Sequence, residues 1–247
     1  MTTAADSSTG DGLDSSGFLA ETGGGINWPC GFFEESLGCS RGEECRPWSE
    51  DGGPHWNATR CVPLADEVAG VGESCTTQGS PLTGLDNCGP DSMCIDVDPD
   101  TLTGRCVGYC DGSENAPICN DPTRTCVVGN DDHIAVCLDS CDPLVQDCGD
   151  GRACVATLGT VDFFCMAPGT AYEDPYSVPL AACGVGSVAV SHDLVETCDV
   201  AAEPCCADFC DLTVLEDPCP PQRVCTAFVP EGTFFGYEDI GVCLTPS

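Results

Sequence analysis

Cysteine is the residue type with the most chemistry to offer in this chain, which holds 24 of them in 247 residues. As thiolates, cysteines hold zinc or iron–sulfur clusters, but such sites favour a Cys-x-x-Cys knuckle, and thioredoxin-type exchange needs the same spacing. The sequence contains no Cys-x-x-Cys and no Cys-x-Cys. The remaining use is covalent. An even count, at a density of about one residue in ten, marks a disulfide scaffold.

Carboxylates come next. Asp96, Asp98 and Asp100 alternate through Asp96-Val97-Asp98-Pro99-Asp100, the spacing a hard, oxygen-seeking cation needs. They are the candidate ligands for Ca²⁺, and no other cofactor is expected. The stretch departs from an EF-hand loop: Thr101 stands where glycine is needed and Val107 where the bidentate glutamate is needed. A second acidic cluster is Asp139, Asp142, Asp147 and Asp150. With a net charge of −34, solvated loops bring carboxylates together without any ion.

Catalytic patterns are sparse. His55, His133 and His192 form no His-x-x-x-His pair. Ser191-His192-Asp193 has the residue types of a hydrolase triad, but sequence neighbours cannot adopt relay geometry. A secreted hydrolase or isomerase would have to assemble its site from distant residues such as His133, Asp162 and His192. No catalytic residue is assigned. Asn57-Ala58-Thr59 is a glycosylation sequon. Phe32-Phe33, Phe163-Phe164 and Phe234-Phe235 are paired aromatics. Strand alternation points the members of each pair to opposite faces, so either stacked modules bury both or one marks a protein-binding edge.

Charge narrows the partners. All seven basic residues are arginine, against 41 Asp and Glu. That disfavours nucleic acid and anionic membrane surfaces, and removes Lys-dependent chemistry. Cations, basic partners or an unknown protein or surface ligand fit better. No apolar run reaches the roughly 18 residues that span a bilayer. The start has no basic n-region or apolar h-region, so the expectation is that an export signal was removed ahead of Met1.

The elements that position these residues follow from the cysteines. Cys110, Cys119, Cys126 and Cys137 are separated by gaps of 8, 6 and 10 residues, and Cys141, Cys148, Cys154 and Cys165 repeat this with gaps of 6, 5 and 10. Cys30, Cys39, Cys45 and Cys61 follow the same scheme with gaps of 8, 5 and 15, and Cys75, Cys88, Cys94 and Cys106 with 12, 5 and 11. Cys210, Cys219, Cys225 and Cys243 follow it with 8, 5 and 17. Cys183, Cys198, Cys205 and Cys206 form an irregular group. The third gap reads strand, Gly-containing turn, strand, as in Cys126-Val127-Val128 and Ile134-Ala135-Val136-Cys137. The first halves, such as 111–117, read as turns. Ala201-Ala202-Glu203-Pro204 has room for one helical turn at most. Trp28, Trp48 and Trp56 point to a local aromatic cluster.

Spacing leaves three pairings open per module. First-with-third and second-with-fourth is favoured, because it ties the irregular half onto the hairpin. Cys205 and Cys206 should bond to different partners, since a ring between neighbours is strained. Only three residues join Cys106 to Cys110 and Cys137 to Cys141, which implies stiff joints.

The expectation is a small disulfide-rich, mainly β protein with little helix, an elongated tandem array of four-cysteine β-hairpin modules. A Ser/Thr/Gly/Asp tether covers 1–25, followed by modules over 26–68, 69–107, 108–138 and 139–168, a linker over 169–182, an irregular module over 183–209 and a last module over 210–247. Each module buries little, so cross-links and neighbours must hold it.

The span from about 28 to 245 resembles a family of cysteine-rich exported proteins and lipoproteins of myxobacteria. The resemblance is carried by Glu43-Glu44-Cys45, Trp56-Asn57-Ala58-Thr59-Arg60-Cys61-Val62-Pro63, Cys141-Asp142-Pro143-Leu144-Val145-Gln146-Asp147-Cys148 and Cys206-Ala207-Asp208-Phe209-Cys210-Asp211-Leu212. It implies a bacterial, extracellular or outer cell-surface location and a lipid anchor upstream, with the acidic tether following a lipid-modified cysteine. Relatives are sometimes labelled ribulose-phosphate epimerases. The residues here do not support that label, for the chain lacks the alternating strands and helices of a (β/α)₈ barrel. The functional expectation is a non-catalytic, extracellular, disulfide-stapled binding or spacer module, with a cation-binding protein or a secreted enzyme as the alternatives.

Overall fold

The computed structural model describes residues 30–32, 38–113, 115–129, 134–149, 151–156, 162–167, 183–195, 198, 205–216, 218–228 and 237–246. The expected tether, the 169–182 linker, the turn at 201–204, Trp28, Phe33, His133 and Phe234-Phe235 lie outside these residues. The regular secondary structure of the described residues is almost entirely antiparallel strand, linked by turns and irregular segments. Its strands are β1 (Glu43–Trp48), β2 (Ala58–Pro63), β3 (Ser74–Thr76), β4 (Ser92–Asp98), β5 (Thr103–Gly108), β6 (Asp111–Ser113), β7 (Ala116–Ile118) and β8 (Arg124–Gly129). They continue with β9 (Ile134–Asp139), β10 (Ala153–Ala156), β11 (Phe163–Met166), β12 (Ser187–Val190), β13 (Cys205–Asp211), β14 (Val224–Ala227) and β15 (Ile240–Leu244). A single 3-10 turn, His192–Leu194, interrupts them. No described helix is long and apolar enough to cross a membrane.

All 24 cysteines are paired. In the five regular groups the first bonds the third and the second bonds the fourth: Cys30–Cys45 and Cys39–Cys61, Cys75–Cys94 and Cys88–Cys106, Cys110–Cys126 and Cys119–Cys137, Cys141–Cys154 and Cys148–Cys165, Cys210–Cys225 and Cys219–Cys243. The irregular group departs from this, with Cys183–Cys206 and Cys198–Cys205. Bridges of this density belong to an oxidising compartment. Closing a loop of about 15 residues contributes roughly 3 kcal/mol in the chain-entropy model, and eleven of the twelve bridges span 13 to 24 residues.

Register explains why this pairing forms. In every regular group the third and fourth cysteines sit directly opposite each other across a hairpin: Cys45 and Cys61, Cys94 and Cys106, Cys126 and Cys137, Cys154 and Cys165, Cys225 and Cys243. Each then reaches back to the turn-rich first half instead of to its neighbour. The segment carrying the first cysteine lies along the far side of the fourth-cysteine strand. Cys75 pairs with Gly104 and Cys210 with Gly241. Cys110 N–H donates to Ala135 O at 3.0 Å and Cys141 N–H to Phe163 O at 3.2 Å. At the first group the Thr59 hydroxyl makes the equivalent link, donating to Cys30 O at 2.6 Å. The module is therefore a two-stranded hairpin with a third segment along one edge, paired as a strand in the Cys75 and Cys210 groups and joined by an isolated bridge or a single bond in the other three. In the stretch expected as turns, Asp111–Ser113 and Ala116–Ile118 form the short β6–β7 ladder, in which Gly112 takes a φ of +90°. Strand β13 serves two groups at once, giving the four-stranded sheet β12-β13-β15-β14.

Two apolar cores cross the groups. One gathers Trp56, Met93, Ile95, Val107, Val127, Val136, Leu138, Val155, Phe164 and Met166. The other gathers Phe163, Ala156, Val188, Val195, Ala207, Ile240 and Val242. The β10–β11 hairpin stands between them and is buried on both faces. Strand alternation sends Phe164 to the first core and Phe163 to the second, where the Phe163 ring meets Tyr237, Phe209 and Phe228 with centroids 5.0 to 5.7 Å apart. Burial that no module could supply alone is thus supplied jointly. The tryptophans divide: Trp56 joins the first core, while Trp48 lies under the Arg60 guanidinium at 4.4 Å.

Five of the seven arginines sit at the joints. Arg46 of β1 is fully enclosed, pairs with Glu44 and Asp86, and donates to Cys88 O at 2.9 Å, tying the first group to the second. Beside it the Tyr109 hydroxyl donates to Cys45 O at 3.1 Å. Arg105, Arg124 and Arg152, from three successive groups, converge on Asp139 at 3.0, 3.2 and 2.9 Å. Arg60 donates to Thr83 O across the first joint.

Candidate ligand cleft

Of the candidate calcium ligands, Asp96 lines a recess, and Asp96 and Asp98 are engaged in hydrogen bonds within the chain. Strand β4 bulges between Ile95 and Asp98, so that Asp96 and Val97 together oppose Gly104. A bulge takes one residue out of the pleat and re-aims its side chain. Here that residue is Asp96, with φ +54°. Its Oδ1 accepts from the Ala167 N–H at 3.0 Å, and its Oδ2 lies 3.8 Å from the Arg105 guanidinium. Gly104 permits the crossing, because a Cβ there would fall 2.4 Å from Ile95 O. Asp98 Oδ1 accepts from the N–H groups of Asp100 and Thr101, both at 2.9 Å, closing its own turn. Those two bonds hold the Asp98 carboxyl below its ordinary pKa. Asp100 is exposed. The bulge thus interrupts the strand alternation between Asp96 and Asp98.

In the second acidic cluster the described carboxylates are engaged within the chain. Asp139 takes the three arginines, Asp142 Oδ1 accepts from Leu144 N–H at 2.8 Å, and Asp147 Oδ1 accepts from Asp142 N–H at 3.0 Å. Asp150 lies outside the described residues. The close groups of possible metal donors among the described residues are all cysteine, and every cysteine is in a disulfide. Of the residues named for a distant catalytic site, Asp162 and His192 are described and His133 is not. In Ser191-His192-Asp193 the serine hydroxyl bonds the aspartate, which holds that carboxyl below its ordinary pKa. Asn57 is exposed, and its Oδ1 accepts from Glu50 N–H at 2.8 Å.

The recess is a cleft of about 330 Å³ between the first two cysteine groups. Its floor is Trp56 and Ile95, both buried members of the first core. Leu82 and Val97 form the walls, and Pro54 and Pro99 stand exposed at the mouth. Three ordered segments build it. The β1–β2 connection is braced by Ser49 N–H donating to Leu82 O at 2.8 Å and by the Ser49 hydroxyl on Gly53 O at 3.0 Å. The 78–85 loop is closed by Gln78 N–H on Leu85 O at 2.8 Å. The β4 bulge is the third. The only polar side chains in the lining are Ser80 and Asp96. No protein-family model, no curated protein and no solved structure matches this chain.

With one carboxylate already bonded and one hydroxyl, the lining offers no nucleophile paired with a base. What it offers is apolar surface, open at one end and continuous with a rigid core, at the small end of the range for ligand sites. Sequence reasoning found Asp96 but not the cleft. Pro54, Pro81 and Pro99 signal three turns, and nothing in their spacing says the turns meet.

Proposed function

We propose that this chain is an extracellular, non-catalytic binding module whose disulfide-stapled body presents the cleft at the first joint to a partner. The observation that carries the reading is the cleft itself: a preformed apolar recess on a covalently braced frame, with no acid–base pair in its lining. A lipid anchor and cell-surface display follow from the resemblance to exported myxobacterial proteins and form part of the proposal. A fragment screen followed by ¹⁵N NMR tests the binding reading. Apolar fragments should shift the amides of Leu82, Ile95 and Val97 before any others, and hits scattered over the surface would count against it. Protease treatment of intact producing cells tests the location. Loss of the protein is expected, whereas full protection together with titratable thiols would place it in a reducing compartment.

A further inference from the structure

Resting on that reading, we infer that the cleft takes a basic–apolar peptide, with one aromatic or large aliphatic side chain seated on Trp56 and an adjacent Lys or Arg on the rim. The apolar half of the argument is the floor and walls already described. The charged half is the rim. Lining residue Gly52 follows Asp51 in the chain and lining residue Pro99 stands between Asp98 and Asp100; these three exposed acidic residues border the lining in sequence without being part of it. Asp51 accepts from the Gly53 N–H at 2.8 Å and from the Ser49 hydroxyl at 3.1 Å, and these bonds keep it ionised well below neutral pH. The lining contains no Lys or Arg, and the chain as a whole carries −34. An acidic ligand would meet repulsion on approach, while a cationic one is drawn in. A main chain can pass close at Gly52-Gly53, where two residues bring no side chain to the mouth and Gly52 takes a φ of +71°.

The test uses the full oxidised chain and short capped peptides, read by calorimetry and by the cleft amides. An Arg-Phe-Arg peptide should bind about tenfold tighter than Glu-Phe-Glu at low ionic strength, with the gap closing near 1 M salt as charges are screened. Arg-Ala-Arg should lose most of the affinity. Ser80→Trp, which fills the recess, should abolish binding of all the Phe peptides, and Asp100→Arg should narrow the gap between basic and acidic probes. Near-UV circular dichroism and the absence of free thiols confirm that each variant is folded. If Glu-Phe-Glu or neutral N-acetylphenylalaninamide shifts the same amides with equal affinity, the charge inference fails and the binding reading stands. Equal binding of Arg-Ala-Arg, or of free phenethylamine in place of the peptide, likewise overturns the inference alone. If no Phe-containing probe moves the cleft amides, both fail.

Discussion

At the joint between the first two cysteine groups Arg46 is fully enclosed, and its partners Glu44 and Asp86 have side chains only 10% and 4% exposed. Around Asp139 the three arginines are 14% to 24% exposed and the carboxylate 32%. Both joints spend a residue that the chain has only seven times, and both link cysteine groups that no disulfide links. They differ in solvent. A charge pair in water gains little beyond what water already supplies, whereas a dry charge depends wholly on its partners. Burial therefore decides how each joint answers to mutation, salt and pH.

The largest contrast is expected from Arg46→Ala. It strands Glu44 and Asp86 without a cation and removes the donor to Cys88 O. Breaking a buried pair from one side costs about 3–5 kcal/mol. Urea denaturation with disulfides intact should show that loss, nearly unchanged by added salt. A cost under about 1 kcal/mol, the range for exposed pairs, would mean that water reaches this joint.

The second contrast is in pH. Burial pushes the Glu44 carboxyl up from 4.5 to about 7, against the pull of Arg46 and with help from the negative charge of Asp86. The folded state thus holds this proton more tightly than the unfolded chain. Its contribution is present in full below about 4.5 and is lost as pH rises through about 7, at no more than about 1.4 kcal/mol per pH unit for one proton. Glu44→Gln should remove this slope, so the stability difference between the two proteins should change across that window. A constant difference would show that Glu44 titrates as an ordinary carboxylate. Tyr109 gives a check on dryness: burial lifts its phenol well above the ordinary range, so it should resist ionisation in alkaline titration of the folded chain.

How much of this was legible depends on what each residue answers to. The hairpins were readable because a Gly-containing turn between the third and fourth cysteines places them opposite; the pairing was open from spacing, and the favoured choice, which ties the irregular half onto the hairpin, is the one the five regular groups adopt. The fate of Phe163-Phe164 followed from strand alternation, with burial of both faces being one of two outcomes open from sequence. Other features answer to contacts between distant segments. Cys205-Cys206 and Cys210 share one strand, so the irregular group pairs first-with-fourth and second-with-third. Gly104 and Gly241 look like ordinary turn residues, yet a Cβ on Gly241 would lie 2.6 Å from Cys225 Sγ. Support from neighbours was expected of modules that each bury little, but which residues gather into the two shared cores was not legible. Asp96 alternates correctly in sequence, and a one-residue bulge undoes it. Trp56 reads as a neighbour for Trp48 and instead floors a cleft, because the β1–β2 connection folds over toward Leu82.

The smallest effect, and the sharpest for the comparison, belongs to Asp139→Asn. Partial burial opposes ionisation of Asp139, but the Arg152 hydrogen bond and the charges of Arg105, Arg152 and Arg124 outweigh it and hold the carboxyl below its ordinary value. The sign is opposite to that of Glu44. The stabilisation is present above the ordinary carboxylate range and is lost as the pH falls through the lowered value. Since every member is partly in water, the substitution should cost roughly 1 kcal/mol near neutral pH. It should cost less in about 1 M salt, where screening acts over a few ångströms, and least in acid, where the native carboxyl is itself protonated. A double-mutant cycle with Arg152→Met isolates the 2.9 Å contact and should return a coupling of at least about 0.5 kcal/mol. A cost equal to that of Arg46→Ala and indifferent to salt would mean that the Asp139 joint is as dry as the first, and that burial does not separate the two.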